Sequence, residues 1–178
     1  MAQRPSKNVG KQVSRRFSRK FQFDMIWEGG LVGLVGGGVV TLYRLCLTRA
    51  EEFLRWLLVQ AHHTPGLLAL LLLSCLVVAK LVGWEPYTQG SGIPQTDAEV
   101  MGRIDMPWHR VMFAKFTEGS LLTLSGLSLG REGPSIQLGG MGGKAVSRAL
   151  RRGRGEERLL VTCGAAAGMS AAFHAPLT

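Results

Sequence analysis

The chain has 178 residues, 46% of them apolar, and carries a formal net charge of +9. A soluble domain of this length would spread its charge around one core, whereas here the basic residues cluster beside long apolar runs. No aromatic stacking residues are interleaved with the basic groups, which argues against nucleic acid as a partner. Cys46, Cys75 and Cys163 sit in or beside apolar runs without CxxC or His-Cys spacing, so they read as small buried hydrophobes and imply no metal site.

Residues 1–23 are polar and basic, with Arg4, Lys7, Lys11, Arg15, Arg16, Arg19 and Lys20 all ahead of the first acidic residue, Asp24. Phe17, Phe21 and Phe23 suit either a disordered arm or a short amphipathic helix on the inner membrane surface. The stretch is too long for the basic region of a signal peptide, and no A-x-A-type site follows, so no cleavage is expected. The positive-inside rule keeps this end in the cytoplasm.

A first span is predicted from about Met25 to Leu47, uncharged from Gly29 to Leu42. Gly29, Gly33 and Gly37 recur every fourth residue, a stripe that lets helices approach closely in lipid. A phosphate-binding loop is excluded because no Gly-Lys-Ser/Thr follows; Gly143-Lys144 has Leu138 where that motif requires glycine. The stretch 49–63, ending in His62-His63, reads as an outer loop, and adjacent histidines on different helix faces do not make a metal site. Gly66 to Val82 is a second, leucine-dense span broken only by Lys80, which can snorkel.

Gly90-Ser91-Gly92-Ile93-Pro94 comes next. Its small residues free the backbone, and proline is favoured in the first turn of a helix, where its missing N–H costs nothing. A short helix from about Ile93 to Gly102 that does not cross the bilayer is expected, since irregular backbone at membrane depth must be buried in protein or line a cavity. Arg103, His109, Arg110 and Lys115 then read as a basic cytoplasmic loop, and a third span runs from about Val111 to Leu129.

Gly130-Arg131-Glu132-Gly133-Pro134 repeats the same grammar with a carboxylate. Pro134 should open a helix running to Leu150, with Gly139 and Gly143 on one stripe and Arg131-Glu132 on irregular backbone just before it. Helix N-termini attract anions through unpaired N–H groups and a fractional positive charge. An ionisable residue within a membrane is a functional candidate, and Glu132 is that residue. Arg148, Arg151, Arg152, Arg154 and Arg158 form a second basic cluster, again cytoplasmic. The last stretch, 159–178, is rich in glycine and alanine and suits a tightly packed helix; His174 reads as a helix-end or loop residue.

The two pentapeptides, in this order, resemble the GSGIP and GREGP motifs of the CLC family of voltage-gated chloride channels and chloride/proton antiporters. The resemblance covers about Met25 to Thr178 and implies an all-α, polytopic membrane fold with broken, re-entrant helices. Residues 24–178 would be the first half of an inverted-repeat transport domain, behind the basic segment 1–23. It implies a transporter rather than an enzyme, no cofactor, chloride and proton as partners, a lipid bilayer around it and a homodimer for the full-length protein. The anion would be held by Ser91 with the main chain of Gly90, Gly92 and Ile93, and by the Gly130, Arg131, Gly133 and Pro134 segment. Glu132 matches the gating glutamate, whose carboxylate competes for an anion site and exchanges protons; Arg131 either concentrates anions at the mouth or forms a structural ion pair.

Ser91 is the residue type linked to chloride preference in the family, and Pro134 argues against the fluoride-exporting branch. The family's second half adds a GxFxP motif and an anion-binding tyrosine. Neither maps here, with Tyr43 and Tyr87 in other contexts, and the antiporters' internal proton-transfer glutamate would fall beyond Thr178. The chain therefore reads as cut in mid-fold and is expected not to conduct alone. The residues present leave channel and antiporter both open. A small membrane-anchored interaction or assembly protein with degenerate motifs is the reading from another class.

Overall fold

The computed structural model describes residues 19–60, 64–127 and 130–175, which are helical with no strand among them. In chain order the helices are α1 (Arg19–Gln60), α2 (Thr64–Trp84), a 3-10 turn (Pro86–Thr88), α3 (Ile93–Val100), α4 (Trp108–Leu124), α5 (Glu132–Ala149) and α6 (Arg154–Phe173).

Helix α1 does not stop at Leu47 as the charge pattern predicts. Between Val39 and Gln60 no glycine or proline interrupts it, and Arg49 and Glu52, three residues apart, form an ion pair on its surface at 3.0 Å. The expected outer loop is thus helical up to Gln60, while His62-His63 lie outside the described residues. The part from Met25 to Gln60 is long and apolar enough to cross a membrane. At 1.5 Å per residue its 36 residues span about 54 Å, longer than a hydrocarbon core of about 30 Å, a length that a crossing would accommodate by tilt or by one projecting end. Leu68–Trp84 of α2 is a shorter apolar helix, exposing Leu68, Leu72, Leu73 and Leu76.

Helix α5 is the centre of the molecule: every residue from Gln137 to Lys144 is buried. It can be enclosed so tightly because its glycines let neighbouring backbones approach. A Cβ on Gly142 would lie 3.1 Å from Gly36 Cα of α1, and one on Gly139 would lie 2.9 Å from Gly168 Cα of α6. Among the described residues the α1 glycine that meets α5 is therefore Gly36; a Cβ on Gly29, Gly33 or Gly37 would have nothing within 4 Å. Two apolar clusters complete the interior, Val40, Tyr43, Leu47 and Leu138 on one side and Met106, Val111 and Met141 on the other.

Three further expectations are corrected. Cys75 and Cys163 are exposed, on the outer sides of their helices, and Cys46 is half-buried, 3.5 Å from Ser120 Oγ of α4. Lys115 is not in a loop: α4 begins at Trp108, so Lys115 lies in its third turn, 5% exposed. Helix α5 begins at Glu132, two residues before Pro134, which still occupies the first turn where an N–H would lack an intrahelical partner.

Candidate anion cavity

The first motif folds as a turn that aims α3. Gly90 and Gly92 take φ values of 72° and 88°, a left-handed conformation that costs a residue with a side chain roughly 1–2 kcal/mol. Gly92 is the residue before the helix, and Thr96 N–H and Oγ1 both donate to its carbonyl, at 3.0 and 2.8 Å. The Ile93 N–H donates weakly to Ser91 Oγ at 3.4 Å, which leaves the Ser91 hydroxyl hydrogen free to point elsewhere. Ser91 and Ile93 are exposed to the cavity described below.

The second motif meets the first directly. A Cβ on Gly133 would stand 2.9 Å from Ser91 Cβ and 3.1 Å from its carbonyl carbon, so only glycine permits this approach. Gln137, one turn along α5, anchors the junction by donating to the Tyr87 carbonyl at 2.8 Å. The N-terminal ends of α3 and α5, 39 residues apart in sequence (93 and 132), are thereby brought together.

Both ends open on one cavity of about 530 Å³. Among the sequence-predicted residues, Gly90, Ser91, Ile93, Gly130, Glu132, Gly133 and Pro134 line it; Gly92 and Arg131 do not. Gly92 is buried behind the turn. Arg131 turns away and pairs with Glu51 of α1, the structural alternative of its two readings. Glu132 is exposed at the cavity rim.

Five polar lining residues carry no motif: Tyr43, Thr88, Lys115, Glu118 and Thr123. Lys115 donates to the carbonyls of Thr88 and Gly90, both at 2.6 Å, so a buried ammonium ties the 3-10 turn and the first motif to α4. Glu118 and Thr88 share a 2.7 Å hydrogen bond. The available signal was the i,i+3 spacing of Lys115 and Glu118 on one helix face, where buried charges must find an interior partner.

At the opposite end of α5 the charges are mutually satisfied. Lys144, 1% exposed, donates to Glu99 Oε1 at 2.5 Å, Asp105 Oδ1 at 2.5 Å and the Met106 carbonyl at 2.7 Å. Glu99 Oε2 accepts from the Met106 N–H at 2.6 Å. Arg148 bridges Asp105 and Glu157. The Lys144 hydrogen bond holds the Asp105 carboxyl below its ordinary range, against the opposing effect of burial. Arg152 pairs with Glu28 of α1. His174 caps α6 in a left-handed conformation, with φ 54°, and sits 3.0 Å from Arg44 Nη1, which also donates to the Ala171 carbonyl.

The family model for voltage gated chloride channels matches residues 70–178, more than half of the chain. A protein of Vibrio cholerae named H(+)/Cl(-) exchange transporter ClcA is 33% identical over 178 residues, covering 94% of this chain and 38% of the relative. Its namesake in Vibrio vulnificus is 35% identical over 163 residues, 86% of this chain and 34% of the relative. That of Salmonella schwarzengrund is 32% identical over 174 residues, 93% and 37%. The chain thus spans under two-fifths of the length of these curated relatives.

Proposed function

Because this chain belongs to the voltage gated chloride channel family, we propose that it serves chloride/proton exchange across a membrane by supplying an anion cavity and its glutamate gate. What supports the reading most is the junction of the two motifs, with Ser91 against Gly133 and both helix N-termini opening on one 530 Å³ cavity. Two fractional positive ends and a hydroxyl donor hold a desolvated halide firmly enough to admit it and weakly enough to release it. Glu132 at the rim competes for that place as a carboxylate and yields it on protonation. Proton uptake and anion entry are thereby linked. Ser91 with the main chain of Gly90, Ile93, Gly130 and Gly133 lines the anion's place, with Pro134 fixing the start of α5; Gly92 and Arg131 act from behind, by shaping the turn and by pairing with Glu51.

The finer organisation belongs to the same proposal. Residues 24–178 form a transport unit behind a basic segment, 1–23. The chain is multi-pass, its N-terminal side faces the cytoplasm, and subunits pair in the bilayer. The exposed leucine face of α2 and the exposed Ile26, Trp27, Leu34 and Leu42 of α1 suit lipid or a second subunit.

Calorimetric titration of the chain in detergent with chloride tests the reading. Saturable heat with chloride and not with sulfate is expected, weakened by Ser91→Ala and altered in its pH dependence by Glu132→Gln. Absence of any chloride-dependent heat, or a Glu132→Gln titration with unchanged pH dependence, would refute it.

A further inference from the structure

Thr88 poses a question of proton number. Its Oγ1 lies 2.8 Å from the Glu85 carbonyl and 2.7 Å from Glu118 Oε1. A hydroxyl has one hydrogen, and a backbone carbonyl can only accept. If the hydroxyl donates to Glu85, an ionised Glu118 would set two acceptor oxygens against each other at 2.7 Å. If it donates to Glu118, the same conflict arises at the Glu85 carbonyl. Both contacts are full two-centre hydrogen bonds only when Glu118 carries a proton and donates it to Thr88 Oγ1, while Thr88 donates to Glu85.

The surroundings agree with a neutral carboxyl. Glu118 is 5% exposed, and isolated buried carboxylates are costly. The cation on its own helix, Lys115, directs two of its three donors to the carbonyls of Thr88 and Gly90, and among the described residues it forms no ion pair. From the other elements packed against α4, the groups that face Glu118 or share its cavity are the Tyr43 hydroxyl of α1, with Cys46 one turn on, Thr88 and Glu85 of the 3-10 turn region, and Glu132 of α5. Lys115 is the full positive charge that lines this cavity; Arg110, also on α4, lies instead over the Trp84 ring, 5.4 Å from its centroid.

We propose that Glu118 is a second proton-holding group of the cavity, whose protonation leaves the Lys115 charge uncompensated and so sets how tightly a halide-sized anion is held. With Glu118 neutral and Glu132 protonated or replaced by glutamine, the cavity presents one ammonium, a serine hydroxyl and two helix N-termini, a net positive lining. When Glu118 ionises, its carboxylate cancels Lys115 across the same helix face and breaks the hydrogen-bond order at Thr88. Anion and proton then bind together or leave together, at a residue separate from the rim glutamate. The anion half of this inference rests on the chloride reading above; the proton half does not.

Infrared spectroscopy of the full chain in detergent, in a Glu132→Gln background, reads the proton directly. At neutral pH the carboxylic-acid C=O band of Glu118 should be present, and Glu118→Gln should abolish it. Thr88→Val, which keeps the shape and removes the acceptor, should shift the band, giving a second readout if Glu118→Gln fails to fold. In the same background, chloride affinity should fall as pH rises through the loss of that band, and Glu118→Gln should hold the low-pH affinity throughout. A neutral-pH acid band unchanged by Glu118→Gln and by Thr88→Val would overturn the proton assignment. A band that disappears with pH while chloride affinity stays constant would overturn the coupling. If chloride fails to bind at any pH, the chloride reading and the coupling fall together, and the band alone decides whether Glu118 holds a proton.

Discussion

Replacing Lys144 by Met deletes an ammonium whose three hydrogens are all used, on Glu99, Asp105 and the Met106 carbonyl. The shape of the side chain is nearly kept, so the loss is electrostatic. Glu99, also buried, retains only the Met106 N–H, and its charge is left without a cation in the interior. Breaking a buried pair from one side costs about 3–5 kcal/mol, most of it the desolvation of the abandoned partner. Asp105 adds little to this, because its side chain is 63% exposed and water takes over the role of Lys144 there. The expected destabilisation of Lys144→Met is therefore about 3–5 kcal/mol, and Lys144→Met with Glu99→Gln should recover a large part of it, since the second change removes the stranded charge. Denaturant unfolding of the chain in detergent, followed by circular dichroism, measures all three variants. A Lys144→Met variant within about 0.5 kcal/mol of the unmutated chain, the range of an ordinary surface substitution, would refute the assignment of Lys144 as the central buried anchor.

The Asp105 carboxyl gives a pH dependence with a definite sign. Its pKa is lowered from an ordinary 3.8, first through the Lys144 hydrogen bond; the stabilisation is thus present above that value and is lost as pH falls through the depressed one. Asp105→Asn should flatten this acid limb of an unfolding-versus-pH curve. Gly164→Ala places a Cβ 3.0 Å from Gly143 N and 3.1 Å from the Gly139 carbonyl carbon, and should cost about 1–3 kcal/mol in the same unfolding assay. Gly37→Ala, in open space, should be neutral or gain up to about 1 kcal/mol from helix propensity. Gly133→Ala forces Ser91 away from the start of α5 and should weaken chloride binding by about 1–3 kcal/mol, read by calorimetric titration beside an unchanged Gly37→Ala control.

How much was legible follows the range of the physics. Glycine and proline act on their own backbone, so the turn at Gly90–Gly92 and a helix start near Pro94 and near Pro134 could be read from the chain directly. Apolar runs of the right length marked α2 and most of α4 for the same local reason. The end of α1 is not legible locally because Arg49, Glu51 and Glu52 look like loop residues singly. Arg49 pairs with Glu52 along the helix, and Glu51 finds Arg131 across it.

By itself, the order of the two motifs determined the family and the candidate residues, since short-range backbone requirements leave a five-residue signature. Only the tertiary structure decided that Gly36, and not Gly29, Gly33 or Gly37, meets α5. It alone turned Lys115 and Glu118 inward to the cavity and turned Arg131 aside to Glu51. Those outcomes depend on which helix faces come within a few ångströms of one another. That is fixed by the joint packing of α1, α4, α5 and α6, and no single window of sequence contains it.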